Sequence, residues 1–287
     1  MRAPLSAWLF LLPMLVGVVV FGLIPAGRTV MLSLGPGEDR LVFYRLAVLD
    51  PLVWLAAVNT LGFAILFATL QTVFATVVAL LIVSANVWAG RVLAAVLFAA
   101  HVLGATFAGV LFSAWFVDRR GGLNGLLQTV GLTSEPIDFL ASPTLAMPIL
   151  LAVALFGGTG FAVLWVLAAL RRADPHIADA ALLDGCGPLR RIRHATLPQI
   201  RPTLAMLVVA GLFFGMTLFE LPYVLFDGPG PGYRVLTGAM LVFSAGLVRG
   251  DVGYASAIAV LLAIATTLVV ALTCRLLRVG REEVGLE

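Results

Sequence analysis

The sequence predicts an all-α integral membrane protein, with six transmembrane helices and one helical cytoplasmic loop between the fourth and the fifth. Three observations lead there. The chain of 287 residues is 61% hydrophobic and has a mean hydropathy of +1.09, where an ordinary soluble domain has about 45–50% apolar residues. Six apolar runs, at residues 5–32, 53–83, 92–117, 145–170, 204–226 and 255–277, each reach the about 20 residues that crossing about 30 Å of hydrocarbon requires. They leave too little chain for a separate soluble domain, so residues 1–287 read as a single transmembrane domain. The third observation is where the arginines fall.

With Pro4 on the cytoplasmic side, these spans put eleven arginines inside: Arg2, Arg91, Arg171, Arg172, Arg190, Arg191, Arg193, Arg201, Arg275, Arg278 and Arg281. Seven remain outside (Arg28, Arg40, Arg45, Arg119, Arg120, Arg234 and Arg249), together with nine of the fifteen acids. An excess of cations on the cytoplasmic side orients membrane proteins, so both termini are expected in the cytoplasm. The basic pI of about 9.3 is then a matter of topology and calls for no nucleic acid.

The first run, 5–32, is too long for a signal-peptide core, contains Pro13 and lacks a convincing small-x-small cleavage site, so it reads as a retained span. His101 in the third run reads as a polar group bonded to a neighbouring helix, or lying near an interface, in preference to a ligand. Gly157, Gly158 and Gly160 in the fourth, and Gly211 and Gly215 in the fifth, are small residues at a spacing that lets helices approach closely, with local helix flexibility as a second reading of the cluster at 157–160. Glu220, in "GMTLFELPYVLF", has two readings: a lining residue of a polar pathway, or a carboxylate at the outer interface. Pro222 is expected to kink that span.

Enzyme chemistry has no foothold. There is no lysine, which excludes a phosphate-cradling P-loop and Schiff-base chemistry. His101, His176 and His194 lie outside any HExxH, no serine sits in GxSxG, and Cys186 and Cys274 do not make a metal site. Both cysteines fall on the cytoplasmic side, where a disulfide is not expected.

The loop 171–202 is the polar exception. Asp174 suits a helix N-cap, Pro175 the first helical position and Gly185 the residue after the end, so a short helix is predicted from 175 to Gly185. Gly187 and Pro188 start a second, ending before Pro198. Ile177, Ala180, Ala181 and Asp184 give the first helix a small, shallow face; Leu189 and Ile192 stand against Arg190, Arg191 and Arg193 on the second. A compact elbow with an apolar stripe and a cationic flank is a docking element for another protein. An amphipathic loop lying on anionic lipid accounts for the charge, but not for the Gly185 turn or the two alanines.

The stretch "DAALLDGCGPLRRIRHATLPQIRP" closely resembles the EAA signature of binding-protein-dependent ABC importer permeases, with Asp179, Ala180, Ala181, Asp184, Gly185, Leu197 and Pro198 in matching positions. Asp179 stands where Glu is usual, Cys186 where Ala is usual and Ile192 where Phe is common. The resemblance covers nearly the whole chain and is closest to the carbohydrate-uptake branch, through "WLFLLPMLVGVVVFGLIP", "DPLVWLAAVNTLGFA", "GGLNGLLQTVGL", "FDGPGPGYRVLTGAM" and "GDVGYASAIAVLL".

This resemblance implies the type I ABC importer permease fold, with the elbow residues Asp179, Ala180, Ala181, Asp184, Gly185, Leu189, Ile192, Leu197 and Pro198 seated on an ATPase subunit. The implied partners are ABC ATPase subunits, a second homologous permease, an extracytoplasmic solute-binding protein and membrane lipid. ATP and Mg belong to the ATPase, and no cofactor to this chain. The implied location is the plasma membrane of a prokaryote, the inner membrane in a Gram-negative cell. A sugar pathway would draw on Glu220, Phe219, Tyr223, Phe213 and Gln71. Permeases for a polyol phosphate or a polyamine, and an ion-coupled carrier using Glu220, are the alternatives; the carrier needs inverted repeats and more intramembrane carboxylates than the sequence offers.

Overall fold

The computed structural model describes residues 5–117 and 122–277. Arg2, Arg119, Arg120, Arg278 and Arg281, which enter the charge bias, lie outside the described residues, as do both chain ends. Among the described residues the regular elements are all helical, with no strand.

In chain order, α1 (Leu5–Val18) passes through a π turn (Val19–Leu23) into α2 (Ile24–Leu32). The short α3 (Val42–Leu49) precedes the long α4 (Pro51–Ser84). Then come α5 (Val87–Val102), α6 (Gly104–Val117), α7 (Gly122–Thr129) and α8 (Ala146–Arg172). The loop region holds α9 (Pro175–Leu183) and α10 (Pro188–Arg191), followed by α11 (Leu197–Met216) and α12 (Glu220–Phe226). The chain closes with α13 (Gly238–Phe243) and α14 (Val252–Leu277).

Helix starts follow local chemistry. Asp50 Oδ1 accepts the Leu52 N–H at 2.8 Å at the head of α4, where Pro51 has no N–H to leave unsatisfied. Asn86 caps α5 through the Trp88 N–H at 2.9 Å.

Five helical segments are long and apolar enough to cross a membrane: Phe10–Leu32, Pro51–Ser84, Ala146–Arg172, Pro188–Met216 and Val252–Leu277. A sixth exists if the pair α5 and α6 is one span, and that pair is bent by 91°. The third apolar run is therefore no straight helix. The break falls at Leu103–Gly104, where Gly104 takes φ +76°, a backbone state costly for a residue with a Cβ.

The expected kink at Pro222 is displaced upstream. The chain leaves the helix at Thr217–Phe219 and restarts at Glu220, so Pro222 sits in the first turn of α12, where a missing N–H breaks no bond. The buried Thr237 hydroxyl donates to the Leu218 carbonyl at 2.8 Å, satisfying an acceptor that the break frees.

The described residues form two compact units, one from those within 1–56 and 238–265 and the other from those within 57–237 and 266–287. In the first, Tyr254 donates its hydroxyl to Asp50 at 2.5 Å, the Arg249 guanidinium lies over the Tyr254 ring at 5.9 Å, and Gly253 sits against the Phe43 ring. None of the hydrophobic window in Phe10–Leu32 is buried, so this helix leaves its apolar surface uncovered.

The second unit has two apolar clusters. One gathers Phe63 and Phe67 of α4, Leu150 and Val153 of α8, and Leu221 and Leu225 of α12. The other gathers Ala75, Ala79 and Ile82 of α4, Val163 and Val166 of α8, and Ile200 and Leu207 of α11. Positions 63, 67, 71, 75 and 79 of α4 form one four-residue seam, with Gln71 where one cluster gives way to the other.

Candidate functional site

Two places in the second unit concentrate chemistry: the elbow between α8 and α11, and a cavity at the level of Gln71.

At the elbow, Asp174 Oδ1 accepts the His176 N–H at 2.9 Å and starts α9 as the sequence predicts. The Asp174 N–H in turn donates to Gln199 Oε1 at 2.7 Å, and Gln199 Nε2 donates to the Ala195 carbonyl at 3.0 Å. One glutamine thereby ties the root of the elbow to the base of α11. At the far end, Gly185 takes φ +72°. Its N–H donates to Leu182 O and the Cys186 N–H to Ala181 O, both at 3.0 Å, which is a Schellman closure. A Cβ at Gly185 would meet nothing within 4 Å, so the backbone alone demands glycine there.

The second limb differs from expectation. It does not stop before Pro198: α10 passes through a π turn (Ile192–Thr196) directly into α11, giving one unbroken segment from Pro188 to Met216. The Leu197 N–H bonds to Ile192 O, five residues back. The wider turn accommodates Pro198, which has no N–H to continue the four-residue ladder.

Ala180, Ala181 and Asp184 line a shallow concavity of about 470 Å³ between the limbs, shared with His176, Arg190 and His194. Leu189 stands out at 79% exposure, whereas Ile192 is half-buried. Leu183, 88% exposed and adjacent to the turn, is a further apolar projection that lies outside the motif positions. Asp179 is exposed, and among the described residues neither it nor Arg190, Arg191 and Arg193 belongs to an ion pair. Leu197 is half-buried and Pro198 exposed at the foot of α11.

The cavity, of about 280 Å³, is walled by α4, the α5–α6 bend, α8 and α11. Its lining is mostly apolar, and Gln71 and His101 bring side-chain polarity to it. Gln71 Nε2 donates to the Gly158 carbonyl at 2.9 Å. His101 Nδ1 donates to the Gly157 carbonyl at 3.0 Å, an acceptor that fixes which ring nitrogen carries the proton. His101 also stacks on Phe161, with ring centroids 5.0 Å apart.

Glycine makes the walls close. A Cβ at Gly158 would lie 2.9 Å from both Gln71 Nε2 and the Phe67 ring, one at Gly211 2.9 Å from Ala68 Cα, and one at Gly215 2.4 Å from Ala64 Cα. The GxxxG of α11 therefore packs on α4 within the chain.

Of the five pathway candidates, only Gln71 lines this cavity. Phe213 points elsewhere; its neighbour Phe214, about 100° around the helix, lines the cavity and tilts against Phe67 at 4.9 Å. Glu220 begins α12 and accepts the Thr106 hydroxyl of α6 at 3.2 Å. Phe219 and Tyr223 stack on each other at 5.4 Å. Hydropathy does not mark His101 and Phe161 as pathway residues, because the bend that brings α5 to the wall rests on Gly104.

The profile of the family described as "Binding-protein-dependent transport system inner membrane component" matches residues 63–278, and the chain belongs to that family. It is thus a multi-pass transport permease component of an inner membrane, not a catalytic enzyme. Among its relatives, the lactose transport system permease protein LacF of Rhizobium radiobacter is 26% identical over 83% of this chain and 82% of its own length. The trehalose/maltose transport system permease protein MalF of Thermococcus litoralis is 27% identical over 96% of this chain and 93% of its own. A chain of a bacterial ABC transporter involved in the import of the acidic polysaccharide alginate superposes with a TM-score of 0.85, covering 96% of each chain at 20% identity. That likeness establishes the fold, the type I importer permease architecture.

Proposed function

We propose that this chain is one permease subunit of an ATP-driven importer that takes up a sugar or sugar derivative delivered by an external binding protein. The observation that carries the sugar is that relatives matching over more than four fifths of both lengths are permeases for lactose and for trehalose/maltose. A related alginate transporter of the same fold has been crystallised with an alginate pentasaccharide-bound periplasmic protein.

In this reading the elbow docks on the ATPase. Leu183 and Leu189 supply apolar contact, Asp179 and the free arginines polar contact, and the Asp174–Gln199 bond with the unbroken Pro188–Met216 segment transmits the movement to α11. ATP and Mg are held by the ATPase. Two rigid arrangements of α11 then alternate access to the cavity between the apolar clusters. Gln71 and His101 offer the few convergent polar groups that a small-molecule pocket uses among apolar walls. A second homologous permease completes the path, and both termini lie with the elbow in the cytoplasm.

The test is transport by the reconstituted transporter, with its ATPase, second permease and binding protein, over a panel of lactose, trehalose, maltose, glycerol phosphate and spermidine. Uptake and ATPase stimulation confined to the sugars support the reading; stimulation by spermidine or glycerol phosphate alone replaces it.

A further inference from the structure

Beside the cavity lies a second, open crevice of about 710 Å³, running along α8 from Phe161 to Ala173 and bounded by Phe98 of α5 and by Gln199 and Thr203 of α11. Phe161 belongs to the walls of both. Positions 161, 165 and 172 fall on one face of α8, so the crevice continues the cavity along that face toward Arg172.

The rings on this face form a ladder. Phe98 and His101 are 6.1 Å apart, His101 and Phe161 5.0 Å, and Phe161 and Trp165 5.6 Å, centroid to centroid. Phe98, Phe161 and Trp165 are 37–40% exposed, so each shows part of its ring to the open space. Among the described residues, neither the Arg172 guanidinium nor the Thr203 hydroxyl has a partner within the chain, so the far end of the crevice offers unspent hydrogen-bond donors. Apolar ring faces along the walls and free donors at one end match a molecule with apolar C–H faces and a rim of hydroxyls.

We propose that the crevice is a second sugar subsite and that Trp165 is its platform: a pyranose ring leaving the cavity past His101 and Phe161 stacks on Trp165 and is received by Arg172 and Thr203. The proposal rests on the sugar-import reading above. It favours a sugar over a lipid chain because the crevice shares its Phe161 wall with the inner cavity and ends on the unspent donors of Arg172 and Thr203, neither of which a groove for an acyl chain has need of. With about 280 Å³, the cavity lies just under the range of about 300–1,000 Å³ usual for small-molecule pockets, so the ladder passes one ring at a time.

Two measurements test it. In the first, Trp165 is replaced site-specifically by 5-hydroxytryptophan, whose emission is excited apart from that of the ordinary tryptophans of this chain and of its partner subunits, in the complete transporter in lipid nanodiscs. Acrylamide should quench this emission, and phosphatidylcholine brominated on its acyl chains should not; quenching by the brominated lipid and not by acrylamide overturns the proposal. In the second, Trp165→Ala should slow saturated uptake of radiolabelled lactose or trehalose in proteoliposomes by about three- to tenfold, the scale of one aromatic stacking contact. ATPase stimulation by the loaded binding protein should persist, and Trp165→Phe should recover most of the rate. Wild-type uptake with an equally fast Trp165→Ala overturns the subsite alone. A wild-type transporter that carries none of the sugars overturns the sugar reading, and with it the cargo assigned to the ladder.

Discussion

Gln71 and Gly158 are joined by a side-chain to backbone hydrogen bond of 2.9 Å that links α4 to α8 at the boundary between the two apolar clusters. Gln71 is largely buried, so loss of the bond leaves polar atoms with few alternatives.

Gly158 and Gly157 should therefore respond differently to a methyl group. Gly158→Ala pushes a Cβ to 2.9 Å from Gln71 Nε2 and from the Phe67 ring, and should cost about 1–3 kcal/mol, as overpacking does. Gly157→Ala meets nothing within 4 Å and should leave stability unchanged or raise it slightly through helix propensity, by up to about 1 kcal/mol. Thermal unfolding of the two variants in one detergent checks the order, which a merely flexible glycine cluster would not produce.

Gly160→Ala should be worse than either. A Cβ there falls 1.9 Å from the Leu97 carbonyl oxygen, a backbone atom that cannot rotate away, so α8 and α5 must separate. The expected outcome is loss of folded protein in membranes, measured by monodisperse yield after extraction.

At the elbow, Gly185→Val should leave the permease in the membrane at near-normal amount and weaken its hold on the ATPase. The left-handed backbone at Gly185 costs a non-glycine residue roughly 1–2 kcal/mol, and the open space around it means that no clash adds to this. Gly185→Asn, which tolerates that conformation better, should retain most activity. Co-purification of the ATPase with each variant is the readout. If reversing Arg190 and Arg191 to Glu abolishes function while Gly185→Val transports normally, the segment is a lipid-surface anchor.

The elbow was legible because its determinants are local: Asp174, Pro175 and Gly185 each act within four residues of where they stand. Its continuation was not, since the π turn that carries α10 past Pro198 trades one hydrogen-bond register for another without a hydropathy signature. The cavity was legible only at Gln71, a polar residue on the apolar seam of α4. Phe213 and Phe214 are indistinguishable by composition, and which of them faces inward depends on Gly211 and Gly215 docking against Ala68 and Ala64. Likewise, the 91° turn between α5 and α6 lies inside a continuous apolar run, and the break of the fifth run at Thr217–Phe219 is stabilised by Thr237, some twenty residues away.

The proposed orientation rests on arginine placement and is open to labelling. With both native cysteines changed to Ala, Leu189→Cys presents an exposed thiol. In cells expressing the chain without its ATPase, an impermeant maleimide should fail to label it from outside and should label it in inside-out vesicles. Labelling from outside would reverse the topology and remove the elbow from the ATPase side.

The most direct measurement is photocrosslinking from the elbow itself. A benzophenone amino acid in place of Leu189, 79% exposed, in cells expressing the complete transporter should yield an adduct with the ATPase subunit, identified by mass spectrometry, whereas the same probe at Phe10, 85% exposed on the first apolar helix, should not. Adducts of Leu189 with lipid alone, at a level matching the Phe10 control, would contradict the assignment of residues 171–202 as the coupling element.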